Sequence, residues 1–146
     1  MASFSIELSP GGESFEADAG ETVLDAALRA GVALEYGCRH GNCSSCKYLL
    51  SDGDVDHGDA SIYSLSEEER DEGYALLCCA RPLGNLVVEA RQRTDARARP
   101  LLLPRDLGAE LVSIERLTAN LWRFSLALSA PLVFYAGQFV ELTPPW

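Results

Sequence analysis

Phe4, Ile6 and Leu8 alternate with Ser5, Glu7 and Ser9 at the start of the chain. That period of two predicts a strand with one buried face. Pro10-Gly11-Gly12 then turns the chain into a second alternating run, with Phe15 and Ala17 facing inward. The period lengthens next. Val23, Leu24, Ala27 and Leu28 share one helical face, Thr22 stands at the N-cap with Asp25 three residues on as in a capping box, and Gly31 ends the helix. Lys47 to Leu50 reads as a strand closed by the polar turn Ser51-Asp52-Gly53-Asp54. Ser66-Glu67-Glu68-Glu69 is a second capping box, opening a short acidic helix that Gly73 stops. Strands are expected around Leu76-Leu77 and from Leu86 to Glu89, with Gly84-Asn85 as the turn between them. Two strands, a helix and further strands make an α+β pattern, and elements this short must share one small core.

Between Arg91 and Arg105 the periodicity disappears. "RQRTDARARPLLLPR" holds five arginines and two prolines, which predicts an exposed linker. From Ala109 strand signals resume: Trp122, Phe124, Leu126 and Leu128 alternate with Arg123, Ser125 and Ala127, and Gly137 to Thr143 reads as another strand. Two or three strands bury little against one another. This segment therefore reads as the opening of a β domain whose remainder is absent from the sequence.

Composition narrows the class. The chain has 146 residues, 47% hydrophobic and 23% charged, as in a globular protein. No apolar run approaches the roughly 18 residues of a membrane span, and Met1-Ala2-Ser3-Phe4 carries no signal-peptide pattern. A cytoplasmic, reducing setting is expected, in which an odd count of 5 cysteines points to metal or redox chemistry before disulfides. Charge is uneven. Residues 1–90 hold 17 Asp and Glu against 5 Lys and Arg, a net of −12, whereas residues 91–146 hold 5 against 7, a net of +2. The acidic part argues against nucleic acid and for a basic protein partner.

Three of the cysteines crowd into "YGCRHGNCSSCKYLL" as Cys38-x4-Cys43-x2-Cys46, and Cys78-Cys79 follows after 31 intervening residues. This is the ligand spacing of plant-type [2Fe-2S] centres. Two irons bridged by two sulfides form a small rhomb. One loop bends around it to offer three thiolates, and the fourth comes from elsewhere. Such a core carries a double negative charge when oxidised and a triple one when reduced, so inward-facing backbone amides must offset its burial. Gly37 and Gly41 let the loop curl, and Asn42, Ser44 and Ser45 are small enough to leave those amides open. Cys43-x-x-Cys46 alone would also suit half a zinc site, but Cys38 five residues upstream and a distant fourth cysteine make zinc less natural. His40 is not needed as a ligand when four cysteines are at hand, and Arg39 is expected to pair with a carboxylate. Spacing does not choose between Cys78 and Cys79; in extended backbone only one of the two can face the loop.

With this loop and "LLCCARPLGNLVVEA" in view, the chain resembles the reductase components of bacterial multicomponent oxygenases, most closely those serving soluble di-iron monooxygenases of the propane, methane and phenol hydroxylase kind. The resemblance implies a β-grasp plant-type ferredoxin domain over 1–91, a linker over 92–108, and over 109–146 the first strands of an incomplete antiparallel β-barrel for FAD. "LVFYAGQFVELTPP" carries the latter likeness, with Ala136-Gly137-Gln138-Phe139 characteristic of it; the family's Arg-x-Tyr-Ser strand and its nicotinamide-binding segment are not in this sequence. The family's C-x-A-x-P setting fits Cys78-Cys79-Ala80-Arg81-Pro82 only with Cys78 as the ligand, so the implied set is Cys38, Cys43, Cys46 and Cys78, with Cys79 a small buried residue. The implied function is electron transfer from NAD(P)H through FAD and the [2Fe-2S] cluster to an oxygenase (hydroxylase) component. That component would dock on the acidic face around Glu67, Glu68, Glu69, Asp71 and Glu72, with no role for nucleic acid or membrane. The chain as given would then be an electron carrier. A free-standing ferredoxin and a zinc-stabilised interaction domain are the alternatives.

Overall fold

The computed structural model describes residues 2–90 and 102–143. Contacts divide the chain into two compact units, Met1–Leu103 and Pro104–Trp146.

In the first unit, β1 (Ser3–Ser9) and β2 (Glu13–Asp18) form the expected hairpin, with Phe4 opposite Ala17 and Ile6 opposite Phe15. Helix α1 (Val23–Arg29) follows; its Val23, Leu24, Ala26, Ala27 and Leu28 are buried. The next elements in chain order are β3 (Lys47–Asp52), β4 (Val55–Asp56), helix α2 (Glu67–Asp71), β5 (Tyr74–Leu76), β6 (Arg81–Pro82) and β7 (Leu86–Glu89). Five strands make one mixed sheet in the order β2-β1-β7-β3-β5, with β1 and β7 parallel and the other neighbours antiparallel. This is the expected α+β, β-grasp arrangement. Ile6, Leu8 and Val88 from the central strands meet Val23, Leu24 and Leu28 in one core, joined by Leu65, Leu76, Leu77 and Leu86.

Both helices end as their sequences dictate. The Gly31 amide bonds to the Leu28 carbonyl and the Val32 amide to that of Ala27, with Gly31 at φ +79°, a left-handed closure that glycine adopts without strain. At α2 the Ser66 hydroxyl accepts from the Glu69 amide while the Glu69 carboxylate takes the Ser66 amide, a complete capping box. The Thr22 cap differs. Its hydroxyl accepts from the Asp25 amide, but the Asp25 carboxylate takes the Thr22 hydroxyl instead of its backbone N–H.

Two expectations are corrected. Leu77 leaves the strand and opens a turn, so β5 ends at Leu76. Gly137 to Thr143 forms no strand: a strand needs a ladder partner, and none pairs with it among the described residues. The two-residue pair β4–β6 was not foreseen, being too short to show a period.

In the second unit, β8 (Ala109–Arg116) and β9 (Trp122–Leu128) form an antiparallel hairpin. Every residue of β8 is exposed, and Trp122, Phe124, Leu126 and Leu128 of β9 are exposed as well. The alternating pattern is present without a core to receive it. No closed barrel forms among the described residues. The expected linker falls mostly on residues outside those described, as does the chain end after Thr143. Among the described residues no helix is long and apolar enough to cross a membrane.

Candidate iron-sulfur centre

The loop from Gly37 to Cys46 has no regular structure, and left-handed backbone at Arg39 (φ 61°), Gly41 (φ 72°) and Ser44 (φ 54°) curls it. The curl turns amides toward sulfur. The Cys38 N–H donates to Cys43 Sγ at 3.2 Å, and the His40 and Asn42 N–H groups to Cys38 Sγ at 3.3 and 3.4 Å. Space inside the curl is kept by the two glycines. A Cβ on Gly37 would lie 3.0 Å from Cys43 Sγ, and one on Gly41 would lie 2.8 Å from Cys79 Sγ.

The fourth-thiol segment is held by the helix and the loop together. The free first amides of α1, those of Val23 and Leu24, bond to the carbonyls of Ala80 and Leu77, while the Leu77 amide bonds to the Cys46 carbonyl at 2.9 Å. A helix start thus satisfies its orphan donors on the segment that carries Cys78 and Cys79. Arg39 finds its carboxylate in Asp25, at 2.6 Å, tying the loop to the first turn of α1. His40 is exposed.

Cys43 and Cys46 each have another cysteine as a neighbour. Cys43 Sγ accepts from the Cys38 N–H at 3.2 Å, and Cys78 influences the Cys46 thiol. Their protonation differs with burial. Cys43 is exposed, and the Cys38 amide and Ser45 hydroxyl stabilise its thiolate, lowering its pKa to about 6. Burial pushes the Cys46 thiol up to about 12. No group of three or more His, Cys, Asp or Glu side chains among the described residues converges as a single metal ion would require. A curled loop with amides aimed at the Cys38 and Cys43 sulfurs and glycine-sized clearances does suit a two-iron anionic core.

Cys79 is buried as expected, but the backbone around it is not extended. Residues 77–79 form a turn, with the amides of Cys79 and Ala80 both bonded to the Leu76 carbonyl, so the alternation of extended backbone does not apply. The two neighbouring sulfurs lie only 3.7 Å apart, and that of Cys79 also faces the loop at Gly41. The arch Ser61–Ser64 was missed altogether. Its Ser61 amide bonds to the Gly41 carbonyl, and its Ser64 carbonyl accepts from the Ser44 hydroxyl at 2.9 Å, which ties it to the cysteine loop at two points. Between those ties Ile62 and Tyr63 project outward, 59% and 97% exposed. An exposed Ile-Tyr pair in a polar stretch was the available signal.

Residues 6–83 match the 2Fe-2S iron-sulfur cluster binding domain, and the chain belongs to that family. The phenol 2-monooxygenase reductase component DmpP of Pseudomonas sp. strain CF600 is 39% identical over 146 residues, which is 98% of this chain and 40% of that protein. The crystal structure of the Amycolatopsis cytochrome P450 reductase GcoB superposes with a TM-score of 0.77 at 38% identity, covering 92% of this chain and 39% of that one. Phthalate dioxygenase reductase, described as a modular structure for electron transfer from pyridine nucleotides to [2Fe-2S], is 30% identical with a TM-score of 0.52 over 60% of this chain and 26% of its own. The chain spans about 40% of the length of curated relatives it matches.

Proposed function

We propose that this chain is the cluster-bearing end of a reductase component, which draws electrons from NAD(P)H through FAD in a longer protein and delivers them to an oxygenase. The observation that carries the reading is the amide-lined cysteine loop, whose N–H groups face Cys38 Sγ and Cys43 Sγ and whose Cys46 carbonyl is bonded by Leu77, next to Cys78. Those four cysteines, Cys38, Cys43, Cys46 and Cys78, would hold the [2Fe-2S] cluster. When bound, the cluster accepts and releases single electrons, which suits a step between a two-electron donor and a one-electron acceptor. The protein's own contribution is electrostatic and geometric. The amides of Cys38, His40 and Asn42 offset negative charge on the sulfurs, and Gly37 and Gly41 keep the loop open around them.

The apolar surface of the β8–β9 hairpin favours a reductase over a free-standing carrier, because strands with such residues on show need a larger β domain to cover them. The boundaries 1–91, 92–108 and 109–146 accordingly mark cluster domain, linker and first flavin-barrel strands in this reading.

For the oxygenase, docking would centre on Ile62 and Tyr63, the exposed tip fastened to the cysteine loop. A few residues on in the chain, α2 and its C-cap expose the carboxylates of Glu67, Glu68, Asp71 and Glu72. Glu69 is otherwise engaged, with Lys47 at 2.6 Å and the Ser66 amide. An exposed apolar tip followed by an acidic helix suits a partner surface that offers an apolar recess and basic side chains.

The test is metal analysis with paramagnetic resonance. The anaerobically purified chain should carry about two irons and two acid-labile sulfides, and after dithionite reduction and cooling show the rhombic signal of a mixed-valence diiron centre. Cys38→Ser, Cys43→Ser, Cys46→Ser and Cys78→Ser should each lose or alter it. Colourless, zinc-loaded protein would overturn the reading in favour of an interaction domain.

A further inference from the structure

Cys79 lies outside the ligand set proposed above, yet its sulfur is among the best-fixed groups of the site. It is buried, at 8% exposure, and stands 3.7 Å from Cys78 Sγ, within hydrogen-bonding range for sulfur. Its position leaves little freedom. The bonds from the Cys79 and Ala80 amides to the Leu76 carbonyl set the turn. On the other side the sulfur rests against the loop so closely that a Cβ at Gly41 would come within 2.8 Å of it.

We propose that Cys79 is a positioning residue for electron transfer: its thiol donates a hydrogen bond to the sulfur of Cys78 and thereby raises the reduction potential of the cluster. This rests on Cys78 being the fourth ligand. A metal-bound cysteine is a thiolate without a proton, so in the 3.7 Å pair Cys78 can only accept and the hydrogen belongs to Cys79. A bond to an anionic acceptor is stronger than one between neutral groups. Adding an electron increases negative charge on the ligand sulfurs, so the same bond stabilises the reduced cluster more than the oxidised one. Burial keeps water from screening that difference. Hydrogen bonds to the sulfurs are among the levers that set such potentials. Here the donor is a side chain that substitution can remove without disturbing the backbone amides of the loop.

The experiment is a potentiometric titration of the cluster in the 146-residue chain, followed by visible absorbance and paramagnetic resonance, with iron and sulfide assayed in every sample. Cys79→Ala and Cys79→Val should retain the cluster and shift the midpoint to more negative values by a similar amount, although they differ in volume. Cys79→Ser, whose O–H is the stronger donor, should shift it above the wild-type value. An unmoved midpoint in the two apolar variants overturns the proposal, as does a serine variant that falls with them, which would mark Cys79 as packing alone. Should the apolar variants fail to load, the serine variant decides: a midpoint at or below wild type overturns the proposal. A cluster lost in Cys79→Ala but kept intact in Cys78→Ser would instead show that the ligand assignment itself is wrong.

Discussion

Replacing Gly41 by alanine tests whether the cysteine loop is held as tightly as its contacts indicate. Two costs arise, and a second glycine separates them. Gly41 has φ +72°, where an L-residue is strained by about 1–2 kcal/mol. The added Cβ would also meet Cys79 Sγ at 2.8 Å, and Ala60 Cα and the Asp59 carbonyl oxygen at 3.1 Å each. Two of these three neighbours are backbone and cannot swing aside, so overpacking adds about 1–3 kcal/mol. Gly12 has nearly the same φ, +70°, with nothing within 4 Å of its Cβ position, so Gly12→Ala bears the backbone strain alone. The difference between the variants, about 1–3 kcal/mol, isolates the close packing of the loop. For a unit of this size each kcal/mol moves Tm by about 4–8 °C. The assay is thermal unfolding of the cluster-loaded chain at one scan rate, read by visible absorbance and by circular dichroism. Gly41→Ala should melt well below Gly12→Ala and lose its visible spectrum first. Equal melting temperatures for the two would refute the reasoning.

Ser66→Ala removes the hydroxyl half of the α2 capping box and should lower stability by about 1 kcal/mol, seen as a Tm shift with an unchanged cluster spectrum. Glu69 supplies the other half. Lys47, and after it the Ser66 amide, hold its carboxyl below the ordinary 4.5, so its stabilisation is present above that value and lost as pH falls through the depressed folded value. Glu21, lowered chiefly by its hydrogen bond to Arg29, acts in the same direction. Tm should therefore fall as pH drops below about 4.5, and Glu69→Gln should flatten that fall; an unaltered slope would remove Glu69 from the account. At the proposed docking tip, Tyr63→Ser should slow electron transfer to the oxygenase without changing the reduction of ferricyanide, and added salt should slow the wild-type protein steeply. A rate indifferent to both would displace the docking surface from α2 and its arch.

Much of the first unit was legible because its signals are local. Alternation placed β1 and β2, the Gly84-Asn85 turn preceded β7, the Ser66 box placed α2, and Gly31 and Gly73 marked helix ends through backbone that glycine adopts without strain. The cysteine loop was legible for a similar reason. Cys38, Cys43 and Cys46 are near neighbours in the chain, so their spacing nearly determines how they can wrap a small core. Reading Gly137 to Thr143 as a strand failed because alternation marks a segment that can pair, whereas pairing needs a second segment.

The chain's own order of residues thus determined most elements of the first unit, the crowding of three cysteines in one short stretch, and the acidity of the first ninety residues. Tertiary structure alone decided how the segment carrying Cys78 and Cys79 meets the loop. Only folding brings the first amides of α1 onto the carbonyls of Leu77 and Ala80, sets the Cys79 sulfur against Gly41 of the loop, and straps the Ile62-Tyr63 arch beside it. The physical reason is range: periodicity, caps and glycine turns act over a few residues, but these contacts join groups tens of residues apart, and their geometry exists only once the shared core has packed.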